Sequence, residues 1–466
     1  MEHPRGLIVL FLTEMWERFG YYLMLTLFAL YLNEYWHLDE GTSSSWYGLY
    51  IALIYLSPLF CGMVADKIGH KLSVKIGATT MAVGYLLIGV PTINVLVLAC
   101  ALVILGNGFF KPSIGTLVGK MYYRSDPRRD SAFSYFYLGV NVGAFFAPFA
   151  AAYLRSNYGW QYAFSAAGIG MFLGLAIFSL FAKIIPSVES ENGQEVVIDP
   201  QIQKQRDYAL YFMCVVVMFF WAAFHQNGST QVFYARDHID RTLGGALTSA
   251  LDPVYYEAIN SFFILVMIPV IVKIFRALGN IGKEPSTPIK IGMGMLLIGL
   301  GYFVFQVSSL LGGDTGRVSS KWFIHATFWI TLGEILLSPM GLSMVSKLAN
   351  PKKVARMMGI WYLATAGGNY LAGYLGKYWL VWTHSRFFGV LVLMCLGAGG
   401  FLFLFKGWLN GVMPKEIPNT GADSMVPPDL RKVQTIVMSN LGDDIKRQQL
   451  LTAMQDVSQM TQQPRS

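Results

Sequence analysis

Residues 14–22 read EMWERFGYY, inside GLIVLFLTEMWERFGYYLMLTLFALYL, residues 6–32, a run otherwise apolar enough to cross a bilayer. Glu14, Glu17 and Arg18 stand at i, i+3 and i+4, which puts them on one face of a helix. One ionised side chain at the bilayer centre costs about 2.5–3.5 kcal/mol on insertion scales, so three together do not face lipid. They face a cavity or a partner helix. Arg18 can neutralise one carboxylate. The other has no partner within its own helix and is a candidate for taking up and releasing a proton. A static salt-bridge cluster that fixes helix packing is the competing reading. Tyr21 and Tyr22 follow one turn on and can line a polar cavity while keeping an apolar body.

The rest of the chain agrees with a membrane setting. Of 466 residues, 54% are hydrophobic and only 13% are charged, against about a quarter charged in soluble domains. Mean hydropathy is +0.46. Apolar runs of about 20 residues recur along the chain, too long and unbroken for β-barrel strands, so an all-α polytopic protein is expected. The first run begins almost at once after MEHPRG and lacks a cleavage signal, which makes it a retained span. Cys61, Cys100, Cys214 and Cys395 lie in or beside apolar segments with no metal or disulfide spacing, so packing is their expected role. No nucleotide-binding motif, nucleophile–base pair or zinc motif is present, so neither ATP drive, enzyme activity, a metal nor a cofactor is expected.

About twelve spans are expected, the first six at roughly 7–33, 45–65, 72–91, 93–118, 131–154 and 160–184. The second six fall at roughly 207–229, 253–276, 287–311, 322–346, 357–381 and 387–409. Basic residues fall on one side: Lys67 and Lys71 after span 2, and Lys120, Arg124, Arg128 and Arg129 after span 4. Lys273, Arg276 and Lys283 follow span 8, and Lys347, Lys352, Lys353 and Arg356 follow span 10. NEYWHLDEGTSS and PTIN, after spans 1 and 3, carry no Lys or Arg, which places both termini in the cytoplasm. Basic loops on that face account for the net charge of +8 without a nucleic-acid partner. The domain plan is a six-span bundle at 1–185, a cytoplasmic linker at 186–206, a second bundle at 207–413 and a cytoplasmic tail at 414–466. Two halves around a midplane site are a common transporter plan. In the tail, Leu430, Val433, Val437, Leu441 and Ile445 have helix-like spacing; the tail is read as a surface or partly disordered segment. Asn227-Gly228-Ser229 fits a glycosylation pattern but lies in or beside a span, so it is discounted.

Two further ionisable residues are expected deep in spans, one per half: Lys111 in span 4 and Glu334 in span 10. A Lys–Glu pair across the halves would act as a gate that substrate or a proton opens; local satisfaction of each charge is the alternative. Pro112 and Pro339 follow nearby and weaken the helices there.

These residues carry a resemblance. The chain resembles the proton-dependent oligopeptide transporter family, within the major facilitator superfamily. The matches are Glu14, Glu17, Arg18, Phe19, Tyr21 and Tyr22 in the opening motif, then YLSPLFCGMVADKIGHK, GNGFFKPSIGTLVGKMY, FSYFYLGVNVGAFFAP, LGEILLSPMGLSMVSKLA and MGIWYLATAGGNYLAG, in the family's order from Glu14 to about Gly376. The resemblance implies the major facilitator fold, two pseudo-symmetric six-helix bundles, and uptake of di- and tripeptides driven by protons. It implies proton coupling at Glu14, Glu17, Arg18 and Glu334. It implies that Lys111 meets the peptide carboxylate or pairs with Glu334, and that Glu334 meets the peptide amine. Asn141 and Asn260 would bond the peptide backbone, and Tyr22, Tyr55, Ser338 and Trp361 would line side-chain pockets. Protons, the peptide and the lipid bilayer are the expected partners of a monomer in the plasma membrane, or the inner membrane of a bacterium.

Three departures stand out. Leu25 occupies the place where many peptide-carrying members have Arg, three residues after the Tyr-Tyr pair. His225 precedes Gln226 where the family often has Glu; a histidine titrates near neutral pH and is a candidate for gating or proton transfer. The connection at 186–205 is too short for the two extra helices of many bacterial members. These departures keep two alternatives open: another substrate, such as an amino acid, a modified peptide or an organic anion, and a receptor that keeps the fold without transport.

Overall fold

A computed structural model of the chain describes residues 3–122, 128–185, 200–247, 249–313, 315–349 and 354–412, apart from the side chains at 128–131, 134, 338–343, 346–347 and 354–356. The tail, most of the linker and the side chains of Ser338 and Pro339 lie outside the described residues.

The first half contains α1 (Gly6–Glu34), α2 (Glu40–Ile68), α3 (His70–Ile88), α4 (Ile93–Gly119), α5 (Arg128–Tyr158) and α6 (Trp160–Phe181). The second contains α7 (Pro200–Phe224), the short α8 (Thr230–His238), α9 (Glu257–Asn280), α10 (Thr287–Gly312), α11 (Ser320–Leu348), α12 (Val354–Gly376) and α13 (His384–Leu404), followed by the short α14 (Lys406–Val412). Nine described helices are long and apolar enough to cross a membrane on hydropathy alone. Adding α1 with its charges, and α11 and α12, at 29, 29 and 23 residues, completes twelve. α7 starts at Pro200, inside the stretch 186–206 expected as linker.

Packing repeats between the halves. In the first, α1 packs on α5 and α6, α3 on α4 and α6, and α2 on α4. In the second, α7 packs on α12 and α13, α10 on α11 and α13, and α9 on α11. The halves meet along two related seams, α2 against α12 and α5 against α9. Gly48 and Gly373 make the first seam close: a Cβ on Gly48 would lie 2.5 Å from the Cα of Gly373, so only backbone fits there.

Local chemistry places the ends. The Asp39 carboxylate caps α2 by accepting from the Thr42 N–H at 2.8 Å, and the Thr42 hydroxyl and N–H hold that carboxyl below its usual range. Span 7 is the main departure from expectation. It breaks after Phe224 and resumes at Thr230 as α8. The N–H groups of Gln226, Asn227 and Ser229 reach only three residues back, the Gly228 N–H donates to Asn227 Oδ1 at 2.8 Å, and the Gln231 N–H reaches Gln226. Gln226 mends the break: its amide donates to Ala222 O and Ala372 O, both at 3.1 Å, and accepts from the Thr230 hydroxyl at 2.8 Å. Such broken helices are tolerated at membrane depth where protein or a cavity surrounds them. A two-residue parallel pair, β1 (Ile239–Asp240) with β2 (Val318–Ser319), ties the end of α8 to the start of α11.

Candidate functional site

The charged face of α1 is fully inside the first bundle: Glu14, Glu17 and Arg18 are 1%, 0% and 3% exposed. Arg18 grips Glu17 with two bonds, its Nη2 donating to Oε1 at 2.5 Å and its Nε to Oε2. The Asn107 amide on α4 adds a third bond to Glu17 Oε1 at 3.3 Å. Glu14 is served worse. Its Oε1 lies 3.5 Å from Arg18 Nε and its Oε2 has no partner. The arginine is therefore committed to Glu17, and Glu14 is the carboxylate left poorly compensated. The Arg18 guanidinium also lies over the Tyr21 ring, 4.4 Å from its centroid.

Lys111 of α4 is half-buried and lies within electrostatic reach of Arg18, Glu14 and Glu17. Its ammonium makes no hydrogen bond or ion pair among the described residues. In the other half, the Asn260 amide on α9 donates to Glu334 Oε2 of α11 and to Thr331 Oγ1, each at 2.9 Å. The cross-half Lys111–Glu334 pair expected from sequence is therefore not made in this conformation. Glu334 is held by a neutral amide of its own half, and the charged groups around Lys111 belong to α1. Tyr22, Tyr55 and Tyr137 of the first half lie within electrostatic reach of Glu334, so the carboxylate faces across the interface.

Asn141 donates to Tyr137 O at 2.8 Å, one turn back in α5. It lines a cavity of about 430 Å³ between α5 and α9, with Tyr137, Leu138, Ile264 and Ile268. Tyr55 spans the interface, its ring 5.9 Å from that of Trp221 on α7. Trp361 is 5% exposed and packs in the core. His225 is 3% exposed, stacked on Trp221 at 5.2 Å and 6.5 Å from Tyr55, with both ring nitrogens unpartnered. Its surroundings are aromatic. Leu25 is buried, 6% exposed.

Sequence reasoning missed the charges that link the two halves at the ends expected to face outward, called the outer ends below. Arg155 at the end of α5 holds Asp252, 2.9 and 3.0 Å away, across the interface and Glu34 within its own half. Arg236 of α8 reaches back to Glu40 at 2.5 Å, Asn33 at 2.6 Å and Glu34 at 3.7 Å. Two arginines thus stitch the outer ends of α1, α2 and α5 to α8 and the segment before α9. Their signal in the sequence was their place: two arginines on the face whose first loops lack basic residues.

The Major Facilitator Superfamily model matches residues 10–368. The chain belongs to that superfamily. A "Di-/tripeptide transporter" of Lactococcus lactis subsp. cremoris is 27% identical over 478 residues, covering 86% of this chain and 95% of the relative. An uncharacterized transporter of Bacillus subtilis is 29% identical over 474 residues, covering 88% and 95%. The crystal structure of a peptide transporter, POT, in complex with sulfate superposes with a TM-score of 0.80 at 28% identity, over 88% of this chain and 96% of that one. Within the superfamily the chain is a member of the proton-dependent oligopeptide transporter family, as its motifs imply. The family is one of transporters rather than enzymes.

Proposed function

We propose that this protein imports di- and tripeptides together with protons by alternating access, as a monomer in the plasma membrane. One observation carries the reading: among the described residues, the Lys111 ammonium on one half has no ion-pair partner, and the Glu334 carboxylate on the other is held by a neutral amide. A peptide zwitterion offers each its complement, carboxylate to Lys111 and ammonium to Glu334. Binding then supplies a reason for the halves to approach, since each charge gains a partner that its own half does not provide. Glu14, less compensated than Glu17, is the favoured proton carrier of the α1 cluster. Asn260 fixes the Glu334 carboxylate, while Tyr22, Tyr55 and Asn141 surround the interface. His225 lacks a charged partner and acts by packing on Trp221. The relative from Lactococcus lactis, named for di- and tripeptides, supports the substrate class.

The test is uptake of labelled dialanine and trialanine into liposomes containing the purified protein, with and without an inside-alkaline pH gradient. Gradient-driven accumulation that is lost in Glu334→Gln is expected. Folded wild-type protein that accumulates neither peptide would overturn the assignment and turn attention to the substrate class, with Leu25 and His225 first.

A further inference from the structure

Glu257 belongs to none of the pairs described above. It opens α9, one turn before Asn260 and inside the apolar segment Pro253–Asn280. Tyr47 of α2 and Tyr302 of α10, 1% and 0% exposed, both lie within its electrostatic reach. With buried side chains of two different helices, one in each half, within its reach, this half-buried carboxylate is placed toward the protein and not toward lipid. It makes no hydrogen bond or ion pair among the described residues. Four arginines of this end are engaged elsewhere: Arg155 by Asp252 and Glu34, Arg236 by Glu34, Glu40 and Asp237, Arg241 by Leu251 O and Arg317 by Asp237 O. Toward α11, the nearest acid on the same face is Glu334, which Asn260 holds. The hydroxyl of Tyr47 is itself buried without a partner, against Gly228 at the break in span 7.

The position also bears on the outer contacts. Asp252, the cross-half anchor of Arg155, is joined to Glu257 by the single short turn Pro253–Tyr256. Ionised Glu257 in the closed state would be a half-buried charge with neither counter-ion nor donor among the described residues, which a membrane interior disfavours. With the outer ends parted, water can solvate either form.

We propose that Glu257 is a further coupling residue of the transport cycle, whose carboxylate takes up a proton from external water before the outer ends of the halves close and returns it when they part. Its place in the cycle rests on the alternating-access reading above. Closure and proton uptake at this site are thereby linked, and by reciprocity external acid favours closure. Tyr47 and Tyr302 are the titratable groups facing it, and neither supplies a positive charge.

The test reads the outer seam without any substrate. Ser45 sits on that seam, its hydroxyl donating to Gly41 O at 2.8 Å and Gly373 O at 3.3 Å. Ser45→Cys is labelled from outside with a membrane-impermeant maleimide between about pH 5.5 and 8.5, alone and combined with Glu257→Gln; protein without the added cysteine gives the background. The ratio of the two rates cancels the thiol's own titration. Labelling in the Glu257 protein relative to the Glu257→Gln protein should rise about fivefold or more from acid to alkaline pH, the scale of an ordinary coupling. Glu257→Asp, which keeps a carboxylate, should keep the slope. A ratio constant across the range, with both proteins monodisperse, overturns the proposal. Failure of the peptide assignment would appear in the uptake assay instead, and would leave this measurement unchanged.

Discussion

Gly48→Ala asks whether the α2–α12 seam must close for transport. A Cβ at residue 48 would stand 2.5 Å from both Cα and N of Gly373 and 2.7 Å from Asn369 O. All three are backbone atoms of α12, so no side-chain rotation relieves the clash. Ordinary contact begins at 3.4 Å, so the helices must part by roughly 1 Å. Overpacking a close contact costs about 1–3 kcal/mol. That cost falls on the state in which the seam is closed, because parting the outer ends removes the contact. The outer-closed population should therefore fall relative to the outer-open one by about 5- to 150-fold. Two readouts follow in liposomes: faster external labelling of Ser45→Cys, and a lower maximal rate of dialanine uptake. Gly397→Ala is the control, since a Cβ there would meet nothing within 4 Å. Folded Gly48→Ala protein with wild-type labelling and uptake would refute the reasoning, because the seam would then close without backbone contact at this point.

The α1 cluster separates two roles. Glu17→Gln removes the anionic acceptor of both short Arg18 bonds and should cost about 3–5 kcal/mol, seen as a lower melting temperature of the purified protein. Glu14→Gln should change stability by about 1 kcal/mol or less, yet abolish gradient-driven accumulation while exchange of dialanine across the membrane persists; accumulation at the wild-type level would move the proton elsewhere. Lys111→Gln should raise the KM for dialanine about tenfold or more, equivalent to about 1.4 kcal/mol, with little effect on dialanine amide. Equal losses for both peptides would place Lys111 away from the substrate carboxylate. Arg155→Ala frees Asp252 and Glu34 at the outer end, so external labelling of Ser45→Cys should accelerate; an unchanged rate would make that pair incidental to closure.

Element by element, the membrane made the helices legible. Each span must be long enough to cross hydrocarbon and satisfy its backbone internally, so apolar length alone located α4 and α10 to within a residue or two at each end. The exception was span 7. Its composition is apolar through residue 224, but Asn227-Gly228 turns the backbone, and the turn survives because Gln226 finds Ala372 O on a helix 146 residues away. Glu14, Glu17, Arg18, Lys111 and Glu334 were visible for a related reason: charge within an apolar run has to be explained. Glu257 escaped notice because it sits at a span's edge, where a carboxylate is unremarkable until its neighbours are known.

The sequence by itself located the apolar helices and the side chains too costly to face lipid, because both follow from transfer energies of local segments. It also placed Glu14, Glu17 and Arg18 on one face. Tertiary structure decided the pairings: that Arg18 commits to Glu17 with help from Asn107, that Asn260 and not Lys111 holds Glu334, and that Arg155 meets Asp252 across the halves. A charge constrains only that some partner exists. Which partner it takes depends on the docking of helices far apart in the chain, and that docking is set by close contacts such as Gly48 on Gly373, which no local pattern encodes.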